Sequence, residues 1–236
     1  MKTFISIGAP ALSLALSLTF GLAFGGFAVN AAAQVNAAQP SLQSAPGQVP
    51  AFTDPQNVPV DLSRVDAALN NTASFSGRFV QYAADGSVEQ GVIYLQRPGK
   101  LRFEYDAPSP LLIVSDGVTM TQQDRALETI DRVPLASTPL NFFLQENVNL
   151  ARDTEVIALQ KFTNEWRISA RDGSGEMDGV ITMIFEPQTL ALKEWVITDG
   201  FGGNTRVALS NLRYNERLNP RLFTPPRGDN RRGRQR

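Results

Sequence analysis

The chain has 236 residues, a formal net charge of -1 at pH 7, and neither cysteine nor histidine. Without these two residue types it cannot form a disulfide, a Ser-His-Asp triad, a Cys-His dyad or a histidine-ligated metal site. It also has no cysteine that could carry a lipid, so we predict that it is not itself a lipoprotein. We further predict that it is not an enzyme and that it binds no metal or other cofactor.

The N-terminal segment has the composition of a secretion signal. Lys2 is followed by a largely apolar stretch at residues 4–29 and by Ala31 to Ala33, whose small side chains suit a signal peptidase. We predict a signal peptide at residues 1–33 that is cleaved before Gln34, which takes the rest of the chain out of the cytoplasm. The alternative is an uncleaved membrane anchor, because the apolar stretch is long for a signal.

Three further segments differ in composition. Residues 34–57 are rich in Ala, Gln, Pro and Ser, cannot build a core, and are predicted to form a disordered linker. Residues 58–226 have the length of one domain. Residues 227–236 form a strongly basic tail, which is either a frayed, solubilising end or a contact for anionic phospholipid surfaces.

The domain is predicted to open with a short helix that ends near Asn70. Four apolar residues recur at helical spacing: Val60, Leu62, Val65 and Leu69. Asp61 or Ser63 is predicted to cap the start of this helix.

Beyond this helix the apolar pattern changes to a period of two residues. Five Asp-Gly pairs, which supply the positive φ angles of hairpin turns, begin at residues 85, 116, 172, 178 and 199. We predict eleven antiparallel strands, at residues 75–82, 87–96, 101–105, 111–115, 118–122, 126–131, 154–159, 165–170, 179–185, 191–198 and 205–214. So many consecutive strands must close into a barrel, split into a sandwich, or curl around an element that covers one face.

A covering element is predicted at residues 134–144, between two of these strands. Thr138 is predicted to cap a helix whose first residue is Pro139. Three apolar side chains then fall on one helix face: Leu140, Phe143 and Leu144. By periodicity alone, such a helix is either a lid or a plug that completes the core.

Four segments, in this order, carry a family resemblance. They are the hairpin at residues 91–105 around Arg97-Pro98-Gly99-Lys100, then Val114-Ser115-Asp116-Gly117, Pro134 to Leu140, and Phe223-Thr224-Pro225-Pro226. Together, across roughly residues 60–226, they resemble the LolA family of periplasmic outer-membrane lipoprotein carriers. The resemblance implies a mainly β (α+β) fold, in which a curved antiparallel sheet forms an incomplete, half-open β-barrel with a helical lid over a hydrophobic cavity.

The resemblance also implies which residues form the site. Arg97 matches the arginine that holds the lid shut through hydrogen bonds to lid backbone carbonyls, a role that suits a guanidinium with five donors. The implied lid residues are Pro139, Leu140, Phe142, Phe143 and Leu144. The candidate cavity residues are Phe79, Val92, Tyr94, Leu101, Phe103, Tyr105, Met120, Met183 and Trp195.

Within the hairpin, Val92 and Tyr94 are predicted to share an apolar sheet face with Leu101, Phe103 and Tyr105. Which face of each strand points inward stays open, because a slip of one residue exchanges the two faces. Leu101 stands where some family members carry an aromatic residue, so detailed ligand contacts do not transfer to this chain.

By this resemblance the chain would shield the acyl chains of lipoproteins in the periplasm. It would receive them from an inner-membrane ABC-type release complex and pass them to a LolB-like outer-membrane acceptor or to the outer membrane itself. A lipid-anchored acceptor shares the fold, and the absence of cysteine favours the carrier instead. We expect a monomer with no nucleic-acid partner.

Other function classes remain open from the sequence. The same half-barrel would suit a carrier of another lipid, such as a glycolipid or polyprenoid. A regulator that senses lipoproteins would need a second domain, for which we predict no room. An enzyme is least favoured, because the candidate carboxylates are scattered along the chain: Asp124, Asp131, Glu165 and Glu194.

Overall fold

The computed structural model describes residues 57–174 and 177–227. The predicted signal peptide, nearly all of the predicted linker and the basic tail beyond Arg227 lie outside these ranges. Helix α1, Val58–Asn70, comes first, where a helix was expected. No helix within the described ranges is both long enough and apolar enough to cross a membrane.

Eleven antiparallel strands follow α1 in a single sheet. Their bounds are β1 Ser74–Tyr82, β2 Val88–Gln96, β3 Lys100–Tyr105, β4 Leu111–Asp116, β5 Thr119–Asp124, β6 Thr129–Pro134, β7 Glu155–Lys161, β8 Trp166–Arg171, β9 Val180–Phe185, β10 Leu192–Thr198 and β11 Asn204–Tyr214. Their order across the sheet is β6-β5-β4-β3-β2-β1-β11-β10-β9-β8-β7. Within the described ranges no ladder joins the two edge strands, β6 and β7.

Short helical segments connect and follow these strands. Between β6 and β7 lie a 3-10 turn at Leu135–Ser137, helix α2 at Asn141–Leu144 and helix α3 at Leu150–Asp153. A second 3-10 turn, Pro220–Phe223, follows β11. Apolar side chains of α1, α2 and α3 join those of the inner sheet face in one buried cluster, so the helices roof that face.

Ring contacts reveal how strongly the sheet curves. Phe103 on β3 and Trp195 on β10 have ring centroids 6.1 Å apart, although β2, β1 and β11 lie between their strands. In a flat sheet, spacings of about 4.8 Å per strand would place β3 and β10 about 19 Å apart. The sheet therefore curls around its inner face without closing, and the predicted mainly β fold with an incomplete barrel is confirmed.

The sixth strand begins later than predicted. We placed it at residues 126–131, whereas β6 spans Thr129–Pro134. The Asp124 carboxylate accepts hydrogen bonds from the backbone N–H groups of Ala126 and Leu127, at 2.8 and 2.9 Å, which turns the chain before the strand starts. Glu128 then takes a positive φ of 54°. A capping aspartate, not an Asp-Gly pair, makes this turn.

The start of α1 also differs from the prediction. Asn57 occupies the N-cap position without a side-chain cap, and a proline in the first turn starts the helix at Val58. Asp61 therefore lies inside the helix, where its buried carboxylate pairs with the Lys161 ammonium of β7 at 2.6 Å. The Ser63 hydroxyl donates to the Val60 carbonyl, and the Val60 side chain faces solvent. Both predicted caps were wrong.

Candidate functional site

Aromatic side chains from β1 and β3 form the floor of the inner sheet face. The Phe79 ring of β1 meets the rings of Phe103 and Tyr105 edge to face, at centroid distances of 4.9 and 5.0 Å. These rings pass over Gly91 of β2, which is paired with both Phe79 and Tyr105. Edge-to-face packing of this kind fixes ring positions and adds to the apolar burial.

Seven of the nine candidate cavity residues lie buried on this inner face. They are Phe79, Leu101, Phe103, Tyr105, Met120, Met183 and Trp195. The prediction was wrong for Val92 and Tyr94, which pair with Glu104 and Arg102 and are only partly buried on the opposite face.

The register of β2 explains this error. Ile93 and Leu95, not Val92 and Tyr94, stand opposite Phe103 and Leu101 and are buried with them. Sequence alternation was correct in period and wrong by one residue in phase.

A small cavity of about 80 Å³ lies between the floor and the roof. Phe103, Met120, Trp195 and Leu140 line its buried part. The lining residues that stay partly exposed are Ile113, Ile197, Asp199, Gly203 and Thr205. Because four of these five belong to β10, β11 or their connecting turn, the cavity opens at that hairpin.

The predicted lid segment contributes Leu140 to the cavity wall, but its local structure differs from the prediction. Thr138 does not cap a helix: its buried hydroxyl donates to the Leu135 carbonyl at 2.8 Å. Pro139 lies in a turn, and α2 contains only Asn141–Leu144. Residues Leu135–Ser137 form a 3-10 turn, and Thr138 is its C-terminal cap. The Thr138 hydroxyl therefore bonds to the preceding turn and does not cap the following helix.

Apolar contacts hold α2 against the floor. Phe142, Phe143 and Leu144 are all buried. The Phe143 ring lies 5.4 Å from the Trp195 ring, and Leu140, just before α2, forms part of the cavity wall. Leu140 therefore makes the lid segment part of the cavity wall, and α2 packs on the floor through its own apolar side chains.

Few polar contacts join the lid to the β2–β3 turn. They involve five residues: Arg97, Gly99, Ser115, Leu144 and Gln145. The Gly99 backbone N–H donates to the Leu144 carbonyl at 2.8 Å. Arg97 Nη1 donates to the Gln145 carbonyl at a long 3.5 Å. The buried Ser115 hydroxyl donates to the Gly99 carbonyl at 2.7 Å and so positions the turn.

The hydrogen-bonding groups of Arg97 are only partly satisfied in this arrangement. Its Nε is buried and makes no hydrogen bond. Burial lowers the pKa of Arg97 to about 10, because the charged guanidinium loses water that its single long bond does not replace. Burying a cation with so few partners costs free energy, so the bond from Arg97 to the Gln145 carbonyl is a weak, reversible contact with the lid.

Helix α1 is hydrogen-bonded to the chain just after the lid segment. The Asn70 side chain donates to the Val148 carbonyl at 3.0 Å and accepts from its N–H at 2.8 Å. Asp66 accepts from the Leu150 N–H at 3.1 Å. Burial raises the pKa of Asp66, and the nearby Asp153 carboxylate adds to that effect. The chain that follows the lid thus makes more hydrogen bonds to α1 than the lid makes to the β2–β3 turn.

Polar groups within the cavity are satisfied by each other. The Tyr105 hydroxyl donates to Gln81 Oε1 at 2.8 Å. Burial raises the pKa of Tyr105, so the phenol stays neutral at physiological pH. The Asp199 carboxylate lies at the exposed mouth, so the buried part of the lining presents uncharged, largely apolar surface to a ligand.

Comparison with known proteins identifies the family. The family model described as Outer membrane lipoprotein carrier protein LolA matches residues 70–226. The chain belongs to the LolA family. The predicted family is therefore confirmed.

Curated LolA relatives match over most of their length. The outer-membrane lipoprotein carrier protein of Chromobacterium violaceum is 30% identical over 205 residues, which cover 84% of this chain and 92% of the relative. That of Nitrosomonas europaea is 33% identical over 187 residues, which cover 72% and 89%. Among solved structures, a LolA superfamily protein from Nitrosomonas europaea is 10% identical with a TM-score of 0.42, covering 69% of this chain and 95% of that one.

Three residues around the LolA lid escaped the sequence reasoning. Gly99 was treated as a turn residue and Ser115 only as part of a family motif, although Ser115 bonds to Gly99 and Gly99 bonds to the lid. Asn70 was read as a helix end. The motif around Ser115 contained a usable signal, since a small hydroxyl residue inside an apolar strand usually bonds to nearby backbone when buried.

Proposed function

We propose that this chain is a periplasmic carrier that shields the acyl chains of lipoproteins beneath its lid and makes or breaks no covalent bond. The observation that carries the proposal is the apolar floor, which continues into a cavity under a segment tied down by few polar contacts. Membership of a family of lipoprotein carriers supports the same conclusion.

The energetics of acyl chains explain why such a shield is needed. Each exposed methylene costs about 0.8 kcal/mol in water, so a protein with two or three acyl chains cannot cross an aqueous compartment unaided. Aromatic and Met side chains, which line this cavity, accommodate a ligand with many conformations.

The size of the cavity indicates that cargo enters by moving the lid. A cavity of roughly 150 Å³ holds one benzene molecule, and the cavity here has about 80 Å³. An acyl chain is much larger than benzene, so α2 must leave the floor when cargo is bound. Loading would then exchange the contact of Phe143 with Trp195 for contacts with the acyl chains.

The proposed route has a donor and a recipient. An inner-membrane ABC-type release complex would supply the lipoprotein, and a LolB-like acceptor or the outer membrane would take it. Onward transfer would follow a gradient of affinity, because a carrier shifts between open and closed states only as far as its ligands bind them differently.

Depletion of the chain in its native cell, followed by membrane fractionation, tests this function. Lipoproteins should accumulate at the inner membrane, and the purified carrier should contain lipoprotein when its bound material is examined by mass spectrometry. Normal sorting would refute the proposal. A bound glycolipid or polyprenoid in place of lipoprotein would favour the alternative carrier function.

Substitution of Arg97 tests the gate. Arg97→Leu should fold and take up lipoprotein but fail to deliver it, because the guanidinium that bonds to the lid carbonyl is lost. Transfer from loaded carrier to outer-membrane vesicles measures delivery. Arg125→Leu, an exposed arginine in the β5–β6 turn, is the control and should deliver normally. Normal delivery by Arg97→Leu would remove Arg97 from the mechanism.

A further inference from the structure

Phe201 is the most exposed large apolar residue in the described part of the chain, with 88% of its surface accessible. It lies in the β10–β11 turn, residues 199–203, between two glycines. Exposing a phenylalanine ring to water forgoes the free energy of its burial. An isolated exposed apolar residue is ordinary. Phe201 differs because its turn is rigidly hydrogen-bonded and lies beside the cavity.

The turn holds Phe201 in a fixed position. Asp199 Oδ1 accepts from the N–H groups of Phe201 and Gly203, at 2.9 and 2.8 Å. The Asp199 N–H donates to the Gly203 carbonyl at 2.9 Å, and the Gly202 N–H donates to the Asp199 carbonyl at 3.0 Å. Four hydrogen bonds within five residues make a stiff support, so the ring points into solvent from an ordered turn.

The same turn forms the mouth of the cavity. Asp199 and Gly203 both line it, on either side of Phe201 in sequence. The turns of neighbouring hairpins lie alongside: a Cβ built on Gly203 would be 3.3 Å from the Ala84 Cβ, and one built on Gly200 would be 3.4 Å from the Asp178 Cβ. Any protein that exchanges cargo through this mouth must therefore come close to Phe201.

The three adjacent turns carry charge of one sign. The described residues of these turns, 83–88, 172–174, 177–179 and 199–204, include four carboxylates and no lysine or arginine: Asp85, Asp172, Asp178 and Asp199. An anionic phospholipid surface would be repelled by such a rim. A protein surface with lysine and arginine side chains around an apolar pocket is complementary to it in both charge and polarity.

We propose that the β10–β11 turn is the docking anchor for a protein partner that inserts Phe201 into an apolar pocket surrounded by basic side chains. The inference relies on the proposed carrier function, because that function requires a donor protein to cover the cavity mouth while cargo enters. The occupant we assign is the periplasmic part of the inner-membrane release complex. At many protein interfaces, a buried aromatic residue surrounded by polar contacts contributes much of the binding free energy.

The test measures binding of the secreted chain to the purified release complex of the same cell in nanodiscs, with empty nanodiscs as background. Phe201→Ser should weaken binding by at least about tenfold, and Phe201→Trp should retain most of it. Binding should also weaken as ionic strength rises.

A matched control lies at the opposite end of the sheet. Val118 is 76% exposed in the β4–β5 turn, and its backbone N–H bonds to Asp116 as that of Phe201 bonds to Asp199. Val118→Ser should bind the release complex like the wild type. Both serine variants should unfold at the wild-type temperature, because neither removes a buried group.

Three outcomes would overturn the inference. The first is equal binding of Phe201→Ser, Val118→Ser and wild type, and the second is absence of wild-type binding to the complex. The third is a loss, in Phe201→Ser alone, of binding to vesicles of phosphatidylethanolamine and phosphatidylglycerol, which would make a lipid surface the occupant. Depletion and fractionation judge the carrier function separately, so either proposal can fail without the other.

Discussion

At the scale of single residues, Gly91 decides whether the aromatic floor can form. It lies on the inner face of β2 between Phe79 and Tyr105, whose rings meet above it. A Cβ at this position would be 2.1 Å from the Glu104 carbonyl oxygen and 2.7 Å from the Phe79 ring. Absence of a side chain here gives the rings their space, as glycine does elsewhere in curved sheets.

We predict that Gly91→Ala lowers the free energy of unfolding by about 2 kcal/mol or more, because overpacking forces the backbone or the Phe79 ring to move. Urea unfolding followed by circular dichroism measures the change. Gly173→Ala is the control, since its Cβ would have no neighbour closer than 3.7 Å. Equal stability of the two variants would show that Gly91 does not limit the floor.

Asp66 predicts a pH dependence. Its pKa is raised above the ordinary value of 3.8, mainly by burial, so the folded state holds this proton more tightly than the unfolded state does. The stability that Asp66 contributes is complete below pH 3.8 and is lost as pH rises through the raised pKa. We therefore expect Asp66→Asn to gain in melting temperature over the wild type between pH 4 and pH 7.

Asp85 is a control of opposite sign for that experiment. The Ser87 backbone N–H lowers the pKa of Asp85, so its contribution is present above pH 3.8 and is lost as pH falls through the lowered pKa. Asp85→Asn should lose, not gain, melting temperature relative to the wild type at neutral pH. A flat difference between Asp66→Asn and wild type across this range would contradict the assignment.

Residue types were easier to read from the sequence than residue orientations. Phe103, Met183 and Trp195 could be placed in the interior because large apolar side chains are usually buried, and all three are buried here. Val92 and Tyr94 were misplaced because both faces of β2 carry apolar residues, so alternation alone does not fix the phase. Only pairing with β3, a contact between strands, settles which face points inward.

At the scale of elements, the lid contains few residues and depends on side-chain packing. Helix α2 has four residues, too few for stability of its own, so its contact with the floor determines its position. The same weakness explains the error in its predicted start: Thr138 and Pro139 match a capping pattern, but the preceding 3-10 turn takes up the Thr138 hydroxyl. Tertiary contacts overrode the local signal.

Phe143→Ala should loosen the lid over Trp195. We expect a loss of about 3 to 5 kcal/mol in the free energy of unfolding, together with stronger acrylamide quenching of Trp195 in a Trp166→Phe background. Phe162→Ala is the matched control, because Phe162 is also buried but lies in the β7–β8 turn. It should destabilise the fold without increasing quenching; equal quenching in both variants would refute the packing of α2 on Trp195.

At the scale of the whole molecule, the segment after β11 braces the outer sheet face. The Ser74 hydroxyl donates to the Glu216 carbonyl at 2.7 Å, Arg102 to the Leu222 carbonyl at 3.2 Å, and Arg132 to the Pro226 carbonyl at 3.1 Å. The segment thus crosses from β1 to β6 on the side away from the lid.

Phe223, buried at the centre of this brace, should be important for stability. We predict that Phe223→Ala lowers the free energy of unfolding by about 3 to 5 kcal/mol, as measured by urea unfolding. Thr224→Ala, at the next and exposed position, should change it by less than about 0.5 kcal/mol. The family motif located this segment in the sequence, but only the structure shows which face of the sheet it covers.

The unpaired edges β6 and β7 have a further consequence for the molecule. A closed barrel has a circumference fixed by its strand number and shear, and widening it would break ladder hydrogen bonds. Here no ladder spans the gap in the described ranges, so the edges can move apart without breaking a strand-to-strand hydrogen bond. We expect this gap to let the interior of the proposed carrier widen for larger cargo while each strand keeps its partners.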